Sequence, residues 1–407
     1  MSKFVINGGA HLSGEVEISG SKNAALPLVF ATVVTHGRSV IHNLPHISDV
    51  DVALSIISSM GARVSREDSD AYIDSSDMRY ERPSDLLVSK IRASSYLLGA
   101  CLARFGISYI QPFGGCNFDS RPVDMHLYAM KSMGGIDMGD FFIAKGLSAS
   151  DIYFDRISVG ATVNALLLAS SAKGRSRIFG YAREPHVIAL TEYLKAAGAG
   201  ITLFEDRIEV EGGELSGAEA TVIPDMIEAG TFAAISLLTD SPFTVKNGGA
   251  EQLKSFFSPL MRSGALLSVR DGDITLSGGL SSFLEVVTEP YPGFPTDLQP
   301  QTAPLMARYS GGRIEERVWR SRFGYLSELK KFGLEYTSGD GYALISPSRL
   351  HSARVKAPDL RGGAAQLMCA LLVEGESVID SAEIIKRGYS DISGKLRLLG
   401  ADIEECD

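Results

Sequence analysis

Six amphipathic stretches, each ended by a glycine and followed by a β-rich run, recur along the chain and constrain its fold more than any other feature. They are Val50–Ser65, Val123–Gly135, His186–Leu203, Gln252–Val269, Tyr325–Tyr336 and Tyr389–Glu404. Their glycines are Gly61, Gly134, Gly198, Gly264, Gly333 and Gly400, at successive intervals of 73, 64, 66, 69 and 67 residues. A glycine just past the last helical turn is the usual left-handed cap of a helix. The spacing therefore predicts six copies of one α/β repeat.

A second series of helices alternates with the first. Each member has a polar or charged start, an apolar helix, a short turn and a β-rich run. Its six members begin at Ser21, Lys90, Arg156, Pro224, Gly293 and Ala357. Because these helices are apolar nearly all round, we expect them to be buried. Each repeat of about 67 residues then holds one buried helix, one amphipathic helix and several short strands.

Composition limits the classes of function. A chain of 407 residues, 45% of them hydrophobic, can bury a large core and is expected to form two or more domains. The net charge of −10 argues against nucleic acid or an anionic membrane as a partner, so any anion site must be a local basic pocket. The first residues form no apolar signal region, and no run approaches about 18 apolar residues. These features predict a cytoplasmic protein, and nothing in the sequence indicates an obligate protein partner.

The cysteines and histidines do not predict a metal site. The four cysteines are Cys101, Cys116, Cys369 and Cys406, and the seven histidines are equally scattered. Neither set has the spacing of zinc ligands or of a dense disulfide framework.

Polar residues at the starts of the buried helices predict an anion site. They are Lys22, Asn23, Arg92, Arg156, Ser158, Glu228, Asp297 and Arg361. Helix N-termini offer free N–H groups and the positive end of the dipole. If two three-repeat domains aim these starts at one cleft, the cleft attracts anions, and its arginines suit phosphate and carboxylate. The alternative is that these residues are ordinary surface charges and helix caps. Their recurrence at the same position in most of the six repeats argues against it.

Residues 114–126 predict a mobile lid. Two glycines precede Cys116, and Arg121 follows it by five residues. The glycines widen the accessible backbone conformations, and a nearby guanidinium favours the thiolate. Burial as a small hydrophobe is the alternative for Cys116, but its polar neighbours argue against that.

Motifs in order along the whole chain resemble those of the UDP-N-acetylglucosamine enolpyruvyl transferase family. They lie at 19–27, 92–94, 114–124, 158–162, 182–185, 228–232, 293–299, 359–361 and 387–389. The resemblance implies an α/β fold of two inside-out α/β barrel domains, each of three repeated βαβαββ-type units, with the active site in the cleft between them. It implies a continuous domain, 22–228, that carries the Cys116 lid, and a discontinuous domain formed by 1–21 and 229–407.

The resemblance also implies a reaction. The family transfers the enolpyruvyl group of phosphoenolpyruvate to the 3′-hydroxyl of UDP-N-acetylglucosamine and releases phosphate, the first committed step of peptidoglycan synthesis. It uses no metal or organic cofactor. Addition followed by elimination needs a base for the hydroxyl and an acid for the methylene carbon. The family assigns these roles to Asp297 and Cys116, with Lys22 as a further catalytic residue, and makes Cys116 the target of fosfomycin.

Binding residues follow from the same motifs. Those implied for phosphoenolpyruvate are Lys22, Asn23, Arg92, Arg121, Arg322 and Arg361. Those implied for UDP-N-acetylglucosamine are Asn23, Arg92, Arg121, Pro122, Val123, Asp124, Met125, Arg156, Ser158, Val159, Gly160, Asp297, Val318 and Trp319. Trp319, the only tryptophan, fits a core aromatic equally well.

Several departures from the family pattern leave alternatives open. Ser48 and Met226 stand where a lysine and an arginine are usual, Arg156 replaces a lysine, and the segment Ile136–Asp155 is short. A paralogue using another nucleotide acceptor, or a non-catalytic nucleotide-sugar-binding protein, would look similar. Shikimate phosphate is disfavoured as the acceptor, because the sister family that uses it has serine and arginine after the first lysine and no counterpart of Cys116.

Overall fold

The computed structural model describes residues 2–115 and 122–406, which form two compact units. The continuous unit holds residues 20–115 and 122–223, and the discontinuous unit holds residues 2–19 and 224–406. The units divide at 19–20 and 223–224, whereas the sequence placed the domain boundaries at 21–22 and 228–229.

The strands are short and lie in separate sheets. In chain order they are β1 (Lys3–Gly8), β2 (Glu15–Glu17), β3 (Arg38–His42), β4 (Arg63–Glu67), β5 (Asp70–Asp74), β6 (Ile107–Tyr109), β7 (Ile136–Asp137), β8 (Phe141–Ile143), β9 (Asp151–Tyr153), β10 (Gly174–Phe179), β11 (Gly200–Leu203), β12 (Arg207–Gly212), β13 (Glu219–Thr221), β14 (Thr244–Lys246), β15 (Ala265–Arg270), β16 (Asp273–Gly278), β17 (Leu284–Thr288), β18 (Gly312–Glu316), β19 (Tyr336–Gly339), β20 (Tyr342–Ile345), β21 (Arg354–Lys356), β22 (Gly375–Asp380) and β23 (Asp402–Cys406).

The α-helices alternate between buried and amphipathic members. In chain order they are α1 (Lys22–Ala31), α2 (Ser48–Ser59), α3 (Asp85–Val88), α4 (Leu97–Phe105), α5 (Asp124–Ser132), α6 (Val159–Ser171), α7 (Pro185–Ala196), α8 (Met226–Leu238), α9 (Lys254–Arg262), α10 (Gln299–Arg308), α11 (Leu326–Leu329), α12 (Leu360–Leu372) and α13 (Ile392–Leu398). Short 3₁₀ turns lie at Arg92–Tyr96, Ala250–Leu253, Thr296–Leu298, Lys330–Phe332 and Ala382–Arg387.

One pattern of strand pairing recurs in both units and confirms the repeat. Each four-stranded sheet has one parallel pair at an edge, followed by two antiparallel pairs. The orders are β13-β3-β5-β4, β9-β10-β12-β11, β2-β14-β16-β15, β17-β18-β20-β19 and β21-β22-β1-β23. Among the described residues the remaining sheet, β6-β8-β7, has three strands and lacks the parallel edge. Two of its strands, β7 and β8, lie in the segment Ile136–Asp155, which is short relative to the family pattern.

The buried helices occupy the interior of each unit. In the discontinuous unit α8, α10 and α12 pack on one another and each also contacts a sheet. Every residue of α8 from Ile227 to Leu238 is buried, as is every residue of α12 from Leu360 to Leu371. In the continuous unit α4 packs against α1 and α6. Helices inside and sheets outside confirm the predicted inside-out α/β fold, and none of the sheets closes on itself within the described residues.

The predicted glycine caps are present in all six repeats. The φ angles of these glycines lie between 92° and 121°, in the left-handed region. Each of α2, α5, α7, α9 and α13 ends two residues before its glycine. Residues with a side chain are strained at such angles, which explains why glycine recurs there.

The chain passes between the units through two adjacent segments. The Ser21 N–H donates to the Ile223 carbonyl at 2.7 Å, and the Asp225 N–H donates to the Ser19 carbonyl at 2.9 Å. The buried Glu228 carboxylate accepts from the Ser19 N–H at 2.8 Å and from Lys395 Nζ at 2.7 Å. Burial raises the pKa of Glu228, which the Lys395 charge opposes. In the described part of the chain, no helix is long and apolar enough to cross a bilayer.

Gly212 and the adjacent Gly213 allow a test of how closely the end of β12 packs against the buried helix α6. A Cβ at Gly212 would lie 2.2 Å from the Ala172 carbonyl oxygen and 2.3 Å from that of Ala169, whereas a Cβ at Gly213 would meet nothing within 4 Å. We expect Gly212→Ala to lower the free energy of unfolding by about 1–3 kcal/mol or more, because backbone must shift. Gly213→Ala is the matched control. Equal urea midpoints for the two variants would contradict this account of the packing.

Candidate active site

The predicted site residues that the structure describes fall into two groups, one in each unit. The first group, in the discontinuous unit, is Asp297, Val318, Trp319, Arg322 and Arg361. The second, in the continuous unit, is Lys22, Asn23, Arg92, Pro122, Val123, Asp124, Met125, Arg156, Ser158, Val159 and Gly160. Cys116 and Arg121 lie outside the described residues.

Asp297 is held by two buried arginines. It lies in the 3₁₀ turn before α10, and Arg361 is the second residue of α12. Arg322 Nη1 donates to Asp297 Oδ1 at 2.8 Å, and Arg361 Nη2 and Nε donate to Asp297 Oδ2 at 3.2 and 3.3 Å. The arginine side chains are 4% and 1% exposed, against 30% for Asp297. Two guanidinium groups on the two oxygens require an ionised carboxylate, and burial makes these charge-assisted bonds strong.

The position of Arg361 is fixed by its helix and by an aromatic ring. Asp359 caps α12, and its Oδ1 accepts from the N–H groups of Arg361 and Gly362, both at 3.0 Å. The Arg361 guanidinium lies 5.1 Å from the centre of the Tyr389 ring, within the range of a cation–π contact. The Tyr389 hydroxyl lies 3.0 Å from Thr231 Oγ1. The sequence singled out the motif 387–389 but did not assign Tyr389 this role.

Glu316 is a buried carboxylate that the sequence analysis missed. Its Oε1 accepts from Thr288 Oγ1 at 2.6 Å and from the N–H groups of Val318 and Trp319, both at 2.9 Å. Its Oε2 accepts from Thr296 Oγ1 at 2.9 Å. The signal was available, because Glu316 shares the buried face of β18 with Ile314 in a strand of alternating burial. Val318 and Trp319 are half-buried beside it.

Lys22 and Asp49 form an ion pair at the start of two helices. Lys22 begins α1, Asp49 is the second residue of α2, and Lys22 Nζ lies 3.3 Å from Asp49 Oδ2. The side chains are 16% and 6% exposed, so the pair is partly desolvated. Asn23 follows Lys22 and is half-buried. Asp49 therefore fixes a cation that the sequence had already singled out.

Arg92 lies among partly buried groups of the continuous unit. It begins the 3₁₀ turn before α4, and burial lowers the pKa of its guanidinium. The half-buried Tyr96 lies at the end of the same turn, and desolvation raises the pKa of its hydroxyl to about 12. The Arg92 guanidinium is therefore partly desolvated.

The residues predicted for the nucleotide lie at the starts of α5 and α6. Arg156 Nη2 donates to both carboxylate oxygens of Asp124, at 2.6 and 2.8 Å, and both side chains are exposed. Ser158 caps α6 by accepting from the Ala161 N–H at 3.3 Å, and Val159 begins the helix. Pro122 is exposed, Val123 is half-buried, and Met125 belongs to the hydrophobic core. The first turn of α6 thus offers N–H groups next to an exposed guanidinium, which suits an anion.

His126 packs directly against the start of α6. A Cβ at Gly160 would lie 2.6 Å from His126 Nε2, so only glycine fits there. Burial lowers the pKa of His126 to about 4, and the nearby Arg92 charge adds to that effect. The imidazole is therefore neutral at pH 7.

Comparison with known proteins gives consistent results. A family model described as EPSP synthase (3-phosphoshikimate 1-carboxyvinyltransferase) matches residues 6–396. The UDP-N-acetylglucosamine 1-carboxyvinyltransferase of Halothermothrix orenii is 39% identical over 413 residues, which cover 100% of each chain. UDP-N-acetylglucosamine 1-carboxyvinyltransferase 2 of Streptococcus mutans is 37% identical and covers 99% of each chain.

Two solved structures have the same fold. The enolpyruvyl transferase NikO from Streptomyces tendae matches with a TM-score of 0.87 and 26% identity, covering 100% of this chain and 99% of the other. EPSP synthase from Acinetobacter baumannii matches with a TM-score of 0.74 and 17% identity, covering 100% of each.

The neutral His126 predicts a pH dependence of stability. Its folded-state pKa lies below the ordinary value of 6.5, so its contribution is complete above that pH and is lost as the pH falls towards 4. We expect wild type to lose roughly 2 kcal/mol more than His126→Gln between pH 7 and pH 5, as measured by urea unfolding. His351→Gln, at an exposed histidine, is the control and should follow wild type. Parallel pH profiles of His126→Gln and wild type would contradict the prediction.

Proposed function

The chain belongs to the enolpyruvyl transferase family of UDP-N-acetylglucosamine 1-carboxyvinyltransferases and EPSP synthases, and on this basis we propose its reaction. It transfers the enolpyruvyl group of phosphoenolpyruvate to the 3′-hydroxyl of UDP-N-acetylglucosamine and releases phosphate, as a step of peptidoglycan precursor synthesis. The observation that carries the proposal is the ionised Asp297 between two buried guanidinium groups. It supplies a base and an anion site within one cluster.

The proposed reaction has two steps. In the addition, Asp297 takes the proton of the sugar hydroxyl, whose oxygen bonds to C2 of phosphoenolpyruvate, while the Cys116 thiol gives a proton to C3. In the elimination, C3 loses a proton, the double bond re-forms and phosphate leaves. The role of Cys116 rests on the family motif alone. Lys22, Arg121 and Arg361 would hold the phosphate, and Arg322 with Arg361 the carboxylate.

The arrangement of Asp297 suggests how substrate binding activates the base. Arg322 and Arg361 have donors only, so the anionic groups of phosphoenolpyruvate compete with Asp297 for the same N–H groups. When phosphoenolpyruvate takes up those donors, the Asp297 oxygens can accept the hydroxyl proton. Binding of the phosphoenolpyruvate anion thereby makes Asp297 available as the base for the sugar hydroxyl.

The nucleotide is assigned to the starts of α5 and α6. Ser158, Val159 and Gly160 would receive the diphosphate at the N-terminus of α6, with Arg156 beside it. Arg121, Pro122, Val123 and Asp124 would flank the uracil, and Met125, whose side chain is buried, would contact the nucleotide sugar through its backbone. The family motifs also assign Asn23, Arg92, Val318 and Trp319 to UDP-N-acetylglucosamine.

Phosphate release from phosphoenolpyruvate tests the proposal directly. We expect rapid release with UDP-N-acetylglucosamine and none above background with UMP, other UDP-sugars or shikimate 3-phosphate. Release with another acceptor alone would keep the fold and chemistry but move the enzyme to a different pathway, as the departures at Ser48 and Arg156 allow. Binding of the nucleotide sugar without any release would identify a non-catalytic protein.

Replacing Asp297 by asparagine separates its two roles. We expect Asp297→Asn to lower kcat at least about 10²-fold, because an amide cannot accept the hydroxyl proton. The affinity for UDP-N-acetylglucosamine should stay close to wild type, since the amide still forms hydrogen bonds. The affinity for phosphoenolpyruvate should rise, because the substrate no longer displaces a carboxylate from Arg322 and Arg361. Calorimetry measures both affinities.

Asp340→Asn is the matched control for this variant. Asp340 is an exposed carboxylate of the same unit and pairs with Arg320. It should leave turnover and both affinities unchanged. Near-normal kcat of Asp297→Asn would remove Asp297 from the mechanism, and weakened phosphoenolpyruvate binding would refute the competition.

A further inference from the structure

We propose that Thr296 and Glu316 are positioning residues of this site, acting through Arg322 and through the turn that carries Trp319. The proposal rests on the function proposed above and adds two residues that the family motifs did not assign to any role. Neither residue is placed against the substrates. Their effect is to set the direction in which the Arg322 guanidinium meets Asp297.

The direction of each hydrogen bond at Thr296 is fixed by chemistry. Arg322 Nη1 lies 3.0 Å from Thr296 Oγ1 and 2.8 Å from Asp297 Oδ1. A guanidinium has donors only, so the threonine oxygen accepts from Arg322, and its single hydrogen must go elsewhere. It points to Glu316 Oε2 at 2.9 Å. Donation therefore runs in one direction only, from Arg322 to Thr296 and from Thr296 to Glu316.

Glu316 anchors this chain because all its partners donate. Thr288 Oγ1 accepts from the Arg317 N–H at 3.0 Å, which leaves the Thr288 hydrogen for Glu316 Oε1. The Glu316 carboxylate thus accepts from four donors, which are the hydroxyls of Thr288 and Thr296 and two backbone N–H groups. The residue is only 1% exposed. Because all four partners donate to the buried carboxylate, its two oxygens are held in one orientation.

Two branches leave Glu316. One runs through Thr296 and Arg322 to Asp297, and the other runs through the N–H groups of Val318 and Trp319 into the turn proposed for the sugar. Thr288 lies on neither branch, although it donates to the same carboxylate. This asymmetry distinguishes positioning from plain stabilisation, because only one of the two threonines touches an arginine of the site.

The test compares isosteric threonine variants of the full-length protein. Thr296→Val keeps the shape but removes the hydroxyl, and Thr296→Ser keeps the hydroxyl. We expect Thr296→Val to lower kcat by about tenfold to a hundredfold, since a misdirected charged group of the site costs this much. The KM for UDP-N-acetylglucosamine should stay near wild type. Thr296→Ser should restore kcat to within about threefold, because it re-forms both bonds.

Thr288→Val is the matched control for a hydrogen bond to Glu316. It should lower the melting temperature about as much as Thr296→Val and leave kcat close to wild type. Glu316→Gln should lower kcat and also raise the KM for UDP-N-acetylglucosamine, because it alters both branches. The emission of Trp319, the single tryptophan, should shift in Glu316→Gln and not in Thr288→Val.

Affinity for phosphoenolpyruvate, measured by calorimetry without acceptor, separates this inference from the proposed function. Thr296→Val should weaken that binding about tenfold, and Thr296→Ser should restore it. If wild type releases no phosphate with any acceptor but shows this pattern, the proposed function fails and the positioning role stands. Turnover in wild type with equal kcat and affinity in Thr296→Val would overturn the inference. Equal kcat losses in Thr288→Val and Thr296→Val would overturn it too, and the threonine comparison holds even if Glu316→Gln does not fold.

Discussion

The burial of helices that are apolar on every side is the constraint on which the rest of the structure depends. Such helices cannot lie at a surface, so in the discontinuous unit three of them pack together and the sheets cover them. Their charged side chains lie in the first or last turn of each helix. The side chains of Lys22, Ser158 and Arg361 lie at such ends, where N–H groups without helical partners favour anions. The chemistry of the site thus follows from where an apolar helix can begin.

The cluster around Asp297 shows how a buried charge is made tolerable. Each arginine there loses hydration, and the cost is offset by a carboxylate and by further acceptors or an aromatic ring. Because the neutralising carboxylate is also the proposed base, the stability of the empty site and its reactivity depend on the same oxygens. A substrate with two anionic groups can replace that carboxylate without leaving the arginines uncompensated.

The repeat, the glycine caps and the inside-out fold could be predicted because they depend on local periodicity and on motifs spread over the chain. The amphipathic stretch at Tyr325–Tyr336 became the short α11 and a 3₁₀ turn, which periodicity alone does not distinguish from one longer helix. The hydrogen bond from Thr296 to Glu316 joins residues 20 positions apart and depends on how the end of β18 lies beside the turn at Thr296–Leu298, so no local pattern predicts it. The same holds for Asp49 beside Lys22. The ligands of the site residues stay predictions.

The place of β1 in its sheet has a consequence for how the protein is made. This strand precedes every other described strand in the chain, yet it lies between β22 and β23, which follow all the others. Its N–H and C=O groups therefore find their sheet partners only after β22 and β23 have been synthesised. The continuous unit, by contrast, has all of its strands by Thr221. Synthesis from the N-terminus to the C-terminus thus allows the continuous unit to form first, whereas the sheet that contains β1 can form only after β23 has been made.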